Sequence, residues 1–379
     1  MPPLPRKPET GGGLLLYQYE TDKGKEGISI MLKVSKKVVG ELEKCYSLAM
    51  LHYQGRDHFL CAAEKVNNCY LISLDGEIEE TVWEGPGGVM TMVQVPGTDG
   101  QFLATRKFYS PNDSKEASIV VVTPKGKNDW EVRTLCDLPF VHRFDILQAG
   151  GKNYLIACAL KSDHEFKDDW RFPGKVFAAE LPEDLSGFND GNQLALKPVK
   201  ENMLKNHGYY RHVEADGSTS SIVSCDNGIF QFFPPQTAGG EWRIETLAED
   251  AASDALLLDL NNDGVEELCA MSPFHGDTVT IYEKKDGRFV PAYEYPEKLE
   301  FLHAIFGGKV AGENMFIIGN RKGDRRLLAF TYGKNGYEAQ ELDAGRGAAN
   351  VLHYVYEGKD ILIAANRETN EIARYELTK

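Results

Sequence analysis

A short β unit recurs seven times along the chain, and a repeat of this kind limits the fold more than any local pattern does. Apolar runs, each followed by a turn and a second run ending in small or polar residues, read "LAMLHYQGRDHFLCAAEK", "GVMTMVQVPGTDGQFLATRK" and "FVHRFDILQAGGKNYLIACALK". Four more follow as "GYYRHVEADGSTSSIVSCDNG", "ALLLDLNNDGVEELCAMSPFHGD", "FLHAIFGGKVAGENMFIIGNRKGD" and "NVLHYVYEGKDILIAANRETN". A third alternating run completes each unit, from "CYLISL" in the first to "IARYEL" in the last. Most units begin about 40 to 50 residues apart, the period of four-stranded propeller blades. The expected fold is therefore all-β, a seven-bladed β-propeller in one domain over residues 1–379, with an N-terminal segment of 1–44 and blades from 45 onward. The seventh unit stops after its third strand. The run "GISIMLKVSKK" is expected to supply the fourth, closing the ring and leaving no free sheet edge. An open pair of β-sandwich layers is the competing arrangement.

Bulk properties narrow the setting. A net charge of −15 argues against a nucleic-acid partner, since phosphate binding needs a basic surface. No run reaches the roughly 18 apolar residues of a membrane span. The opening "MPPLPRKPETGGGLLLYQYE" lacks the apolar core of a secretion signal, so the expected location is cytoplasmic. The seven cysteines show no CxxC spacing and mostly lie in apolar runs, which reads as a set of reduced core thiols.

Blade topology puts the starts of first strands and the ends of second strands on one face of the disc. First-strand positions expected there are His52, His142, Tyr210, Arg211, His212, His303 and His353. Second-strand ends add Lys65, Arg106, Lys107, Lys161, His275, Arg321 and Arg367. One histidine alone is usually a packing residue. A ring of titratable and cationic groups around one channel mouth implies a ligand, because crowded charge is costly without a partner. The third unit also carries the insertion "SDHEFKDDWRFPG", residues 162–174, longer than a hairpin needs. It is expected to lay His164, Lys167, Asp168, Asp169, Trp170 and Arg171 over that mouth, with Trp170 offering a flat face to a sugar ring. A plain solvated loop is the alternative.

In "DLNNDGVEE" the spacing D-x-N-x-D-G-x-x-E aligns oxygen donors from Asp259, Asn261, Asp263, the Val265 carbonyl and Glu267 around a turn at Gly264, as hard Ca²⁺ requires. An EF-hand is excluded, because loop position twelve is Ala270. The motif resembles the cation loop of the FG-GAP and VCBS repeat families, which implies a structural Ca²⁺ clip between blade strands. The loop should lie on the face opposite the histidines. An Asx-type turn without an ion is the other reading.

Motifs for nucleophilic hydrolysis, phosphate cradles and zincins are all missing. Histidine, lysine, arginine and tyrosine on a concave face suit proton abstraction beside a carbonyl or carboxylate, with a cation stabilising the enolate. The architecture of about residues 45–379 resembles propeller polysaccharide lyases such as ulvan lyases, and the propeller of aldos-2-ulose dehydratase. That resemblance implies elimination or dehydration on a sugar by histidine and tyrosine, often with a metal. The expected function is a sugar lyase, dehydratase or isomerase acting on a small sugar or oligosaccharide. His142 and His212 lead as base and acid, and His164, Tyr210, His275, His303 and His353 are further candidates. Arg106, Lys161, Trp170, Arg171, Arg211, Arg321 and Arg367 are the expected substrate-binding set. The histidines could equally converge on Zn²⁺ or Mn²⁺, since imidazole suits both. A non-catalytic propeller presenting one face to a protein or glycan is the competing class. A glycoside hydrolase ranks last, because Asp168 and Asp169 stand too close in sequence to supply its separated carboxylates.

Overall fold

Strands rich in Val, Ile, Leu and aromatic residues alternate with glycine-containing turns, and in the computed structural model they assemble into seven four-stranded antiparallel sheets. The structure describes residues 31–65, 68–237 and 239–379. Blades 1 to 6 span 45–83, 92–137, 141–203, 208–248, 254–294 and 302–343 in chain order. Blade 7 takes its three inner strands from 348–378 and its outermost from Lys33–Glu41, which pairs with Glu371–Thr378. The N-terminal run thus closes the ring, although residues 27–30 of that run lie outside the described residues. The innermost strands touch in six of the seven neighbouring blade pairs, blade 7 against blade 1 included, and the innermost strand of blade 3 meets the second strand of blade 2, so the disc is closed. No open sandwich forms.

The blades are held by apolar stripes between facing sheets. Leu51, Leu60 and Leu71 of blade 1 pack with Phe102, Val120 and Val122 of blade 2. Leu147, Ile156 and Cys158 of blade 3 meet Val223, Cys225 and Phe232 of blade 4 in the same way. Each fully buried side chain of this kind contributes about 1.5–3 kcal/mol, so the stripes fix the angle between sheets and hence what reaches the central channel. All seven cysteines are buried and unpaired, and burial pushes the Cys45 and Cys136 thiols up to about 12. Among the described residues no helix is long and apolar enough to cross a membrane.

Candidate functional site

One local device is repeated at the start of the innermost strands. Lys44, Gly88, Phe140, Lys205, Phe301 and Gly347 all adopt left-handed backbone, with φ between 51° and 79°. Four of the six carry side chains, in a region that residues other than glycine seldom occupy. The residue two positions later faces the channel mouth: Tyr46, Met90, His142, His207, His303 and Ala349. In blades 1, 3, 6 and 7 the pairing register skips this residue, Tyr46, His142, His303 and Ala349 respectively. A bulge of this type leaves one residue unopposed and re-aims its side chain. The returning second strand locks the turn. Backbone N–H groups of Glu64, Phe108, Leu160 and Arg321 donate to the carbonyls of Lys44, Gly88, Phe140 and Phe301 at 2.9, 3.2, 2.9 and 2.9 Å. Glu64, Phe108, Leu160 and Arg321 line a pocket of about 240 Å³ together with Tyr46, Met90, His142, His303, His207, His275, Phe301, Lys65 and Arg367.

The pocket floor is a network of imidazoles around one phenol. Tyr46 Oη lies 2.9 Å from His303 Nε2 and 3.5 Å from His142 Nε2. His303 Nδ1 donates to the Ala349 carbonyl at 2.7 Å, and His142 Nδ1 donates to the His207 carbonyl at 3.3 Å. His207 Nδ1 donates to the Asp254 carboxylate at 3.0 Å. A carbonyl or carboxylate oxygen only accepts, so in all three rings Nδ1 carries a proton, and a neutral ring then keeps its lone pair on Nε2. His275 enters from a loop at φ 49°, stacked between Phe274 and Phe301 at ring distances of 4.0 and 4.2 Å. Its Nε2 is 3.2 Å from that of His207. Burial, reinforced by neighbouring cationic groups, holds His142, His275 and His303 well below the usual imidazole range, so all three are neutral. Burial likewise pushes Tyr46 up to about 12, with the Arg143 charge opposing it.

Three guanidinium groups surround this floor in different states. Arg321 pairs with Glu368 at 2.8 Å, and Arg367 pairs with Glu64 and with Glu368, so both are neutralised. Arg143 is not. It is 9% exposed, donates Nη1 to the Met90 carbonyl at 2.8 Å and lies 5.8 Å from the centre of the Tyr46 ring. Its buried Nε has no partner, and among the described residues no carboxylate forms an ion pair with it.

Of the residues expected at the mouth, His142, His275, His303, Lys65, Arg321 and Arg367 line the pocket. The others stand elsewhere. His212 and His353 lie toward the far ends of their innermost strands, beside Glu266 at 3.5 Å and Asp360 at 2.8 Å, and His52 pairs there with Asp57. The cause is the strand rise of about 3.3 Å per residue, which carries a side chain five positions past His207 roughly 16 Å down the channel. Arg211 pairs with Asp145 and lines a pocket at that second mouth. Tyr210 is committed to the Gly307 backbone, donating to its carbonyl at 3.0 Å and accepting from its N–H at 2.8 Å. Arg106 reaches Thr134 within blade 2. Lys161 is fully buried under the insertion, donating to the Asp169 carbonyl at 3.0 Å and lying 4.1 Å from the Trp170 ring centre. Trp170 packs edge-on against Phe274, Arg171 is tied to Asp169 and Glu165, and His164 packs against Phe140 outside the pocket. The insertion therefore buttresses the wall behind His275. It leaves the pocket floor to other residues.

The acidic loop spans the first hairpin of blade 5, on the face opposite His275. Asp259 accepts from the N–H groups of Asp263 and Gly264, and Glu267 accepts from Leu260 and Asn261. Asp263 accepts from the Val265 N–H. Asn261 turns its amide nitrogen toward Asp263 and Glu267, at 3.1 and 2.8 Å.

Tyr46, His207, Arg143 and Asp254 escaped the sequence reading. Starting the first, fourth and seventh units three or four residues earlier, so that the column reads "KCYS", "GVMT", "FVHR", "KNHG", "FLHA" and "GAAN", brings the channel residues into register. The glycine in "KNHG" has a structural reason. A Cβ on Gly208 would stand 2.3 Å from the Ser253 carbonyl oxygen and 2.8 Å from Asp254 Cα, where blades 4 and 5 meet beside His207. Gly208→Val is expected to cost about 1–3 kcal/mol in denaturant unfolding, the usual range for overpacking.

No known protein family matches the chain by sequence, and no curated protein matches it. The FG-GAP and VCBS membership suggested by the acidic loop is thus not shown. Among solved structures the chain is similar to the Dos1 propeller, at 8% identity and a TM-score of 0.54, over 87% of this chain and 76% of that one. It also aligns with a Trypanosoma rangeli sialidase in complex with 2,3-difluorosialic acid, at 12% identity and a TM-score of 0.47, over 87% of this chain and 59% of that one. The first likeness shows the propeller fold alone.

Proposed function

We propose that the histidine-lined mouth is the active site of a carbohydrate lyase, dehydratase or isomerase that removes a proton beside a carbonyl or carboxylate of a small sugar or oligosaccharide. The observation that carries this reading is a bare imidazole nitrogen and a protonated phenol lining one pocket, with an uncompensated cation 5.8 Å from the centre of the phenol ring. His142 Nε2 is the base. It takes the proton from carbon, the carbon–oxygen bond of the leaving group breaks as the double bond forms, and the departing oxygen receives the Tyr46 proton. Arg143 stabilises the negative charge that develops between these steps. The proton then returns from His142 to the Tyr46 phenolate across the 3.5 Å gap. His212, on the other face, takes no part. A pocket of about 240 Å³ has room for a single sugar ring and little more.

The test is a screen for unsaturated products, read by ultraviolet absorbance, against uronic-acid oligosaccharides and keto-sugars. His142→Ala should abolish the signal and His212→Ala should leave it intact. Equal activity in both variants removes the assignment.

The Ca²⁺ clip of the acidic loop belongs to the same proposal. Asp259, Asp263 and Glu267 would hold the ion if the Asn261 amide turned its oxygen inward. Chelator-treated protein should then gain about 2.7 kcal/mol when Ca²⁺ is restored at a hundredfold excess over its dissociation constant. A thermal midpoint indifferent to millimolar Ca²⁺ leaves only the self-satisfied turn.

A further inference from the structure

We infer that His207, His275 and His303 form a binding site for one divalent transition metal ion, best matched by Zn²⁺, at the floor of the channel mouth. Their ligand nitrogens all lie within 4.8 Å of one another. With Nδ1–H of His207 and of His303 committed to other partners, Nε2 is the ligand atom each ring offers. His207 is fixed by Asp254 and His303 by the Ala349 carbonyl, each through Nδ1–H, which is the outer contact that metal-bound histidines make. His275 Nε2 stands 3.2 Å from His207 Nε2. Two nitrogens bound tetrahedrally at about 2.0–2.1 Å are separated by roughly 3.3 Å, so this pair needs almost no adjustment. Without an ion, one of these two nitrogens must carry the proton shared between them, and the lone pair of His303 has only the Tyr46 hydroxyl.

The ligand chemistry selects the ion. Three neutral imidazoles and no carboxylate suit Zn²⁺ and its neighbours, whereas Ca²⁺ and Mg²⁺ demand oxygen donors. Three protein ligands leave a fourth position open, as catalytic rather than structural zinc sites do. Neutral ligands also leave the ion's full charge beside Arg143. An anion, either hydroxide or a carboxylate, is therefore the group that fits the fourth position. The site rests on this geometry and not on the elimination chemistry proposed above, and either can fail without the other.

The experiment is metal analysis and Co²⁺ titration of the full chain after chelator treatment. The expected result is one ion per chain with a visible tetrahedral Co²⁺ band, displaced by Zn²⁺. The double variant His207→Ala/His275→Ala should lose it, and His212→Ala should keep it. Asp254→Asn, which keeps the side-chain volume, should weaken binding about 10- to 100-fold with an unchanged circular dichroism spectrum. Absence of stoichiometric binding by folded wild-type protein, or binding that survives the double histidine variant, overturns the site.

Discussion

Tyr46→Phe is expected to lower unsaturated-product formation by about 10²- to 10⁴-fold, the usual worth of a positioned general acid. Tyr46 is 1% exposed and its ring is edge-on to His303, at a centroid distance of 5.2 Å, so phenylalanine occupies the same space and preserves the packing. Only the hydroxyl goes. Its loss leaves the His303 lone pair without its donor, at a cost of about 1–3 kcal/mol, well below the roughly 5–15 kcal/mol that holds a domain together. The variant should therefore fold and fail to turn over, which unfolding curves and initial rates together can show. If His142 and Tyr46 exchange one proton as described, the double variant His142→Ala/Tyr46→Phe should be little slower than either single one, because residues acting as a unit are not additive. A Tyr46→Phe variant that forms product at the wild-type rate would remove the phenol from the proposed reaction.

How far the sequence could be read depended on which physical property each inference used. The blade count follows from apolar periodicity, which burial between sheets enforces over dozens of positions, so the ring and its closing strand could be read directly. The acidic loop was also readable, since a turn with fixed donor spacing is a local property. Side-chain placement at the mouth was not. It is set by a left-handed residue and a bulge two positions later, and neither leaves a compositional mark when Lys44, Phe140, Lys205 and Phe301 occupy the left-handed site instead of glycine. The expected ring consequently began the strands of blades 1, 4 and 7 too late. It gathered His212 and His353, which lie at the far end, and passed over Tyr46 and His207. Arg143 was invisible for another reason. Its importance lies in having no acidic partner among the described residues, and Asp145, two residues on, looks like one until the fold gives that carboxylate to Arg211.

Removing the closing strand should have the largest effect on stability. A chain of residues 42–379 is expected to lose on the order of 10 °C in thermal midpoint and to self-associate. Lys33–Glu41 pairs along the whole of Glu371–Thr378, and Leu32, just before it, is buried in the cluster that contains Tyr375 and Leu377. Leu32 is further tied by reciprocal 2.8 Å hydrogen bonds between its backbone and the Gln340 side chain. Losing one such buried leucine alone costs about 1.5–3 kcal/mol. Lys36 bridges Asp343 and Glu371 at 2.9 and 3.2 Å, so its removal leaves these two carboxylates only the longer pairs to Arg346, at 3.9 and 3.7 Å. The more damaging consequence is topological. The strand joins the two ends of the chain into one ring, and without it Glu371–Thr378 presents a row of unpaired backbone groups to any passing copy. A synthetic peptide covering residues 31–42 should dock on that edge by strand addition and restore both the midpoint and the monomer. If the shortened chain stayed monomeric with an unchanged midpoint, blade 7 would be self-sufficient with three strands, and closure would lie in the contacts between the innermost strands.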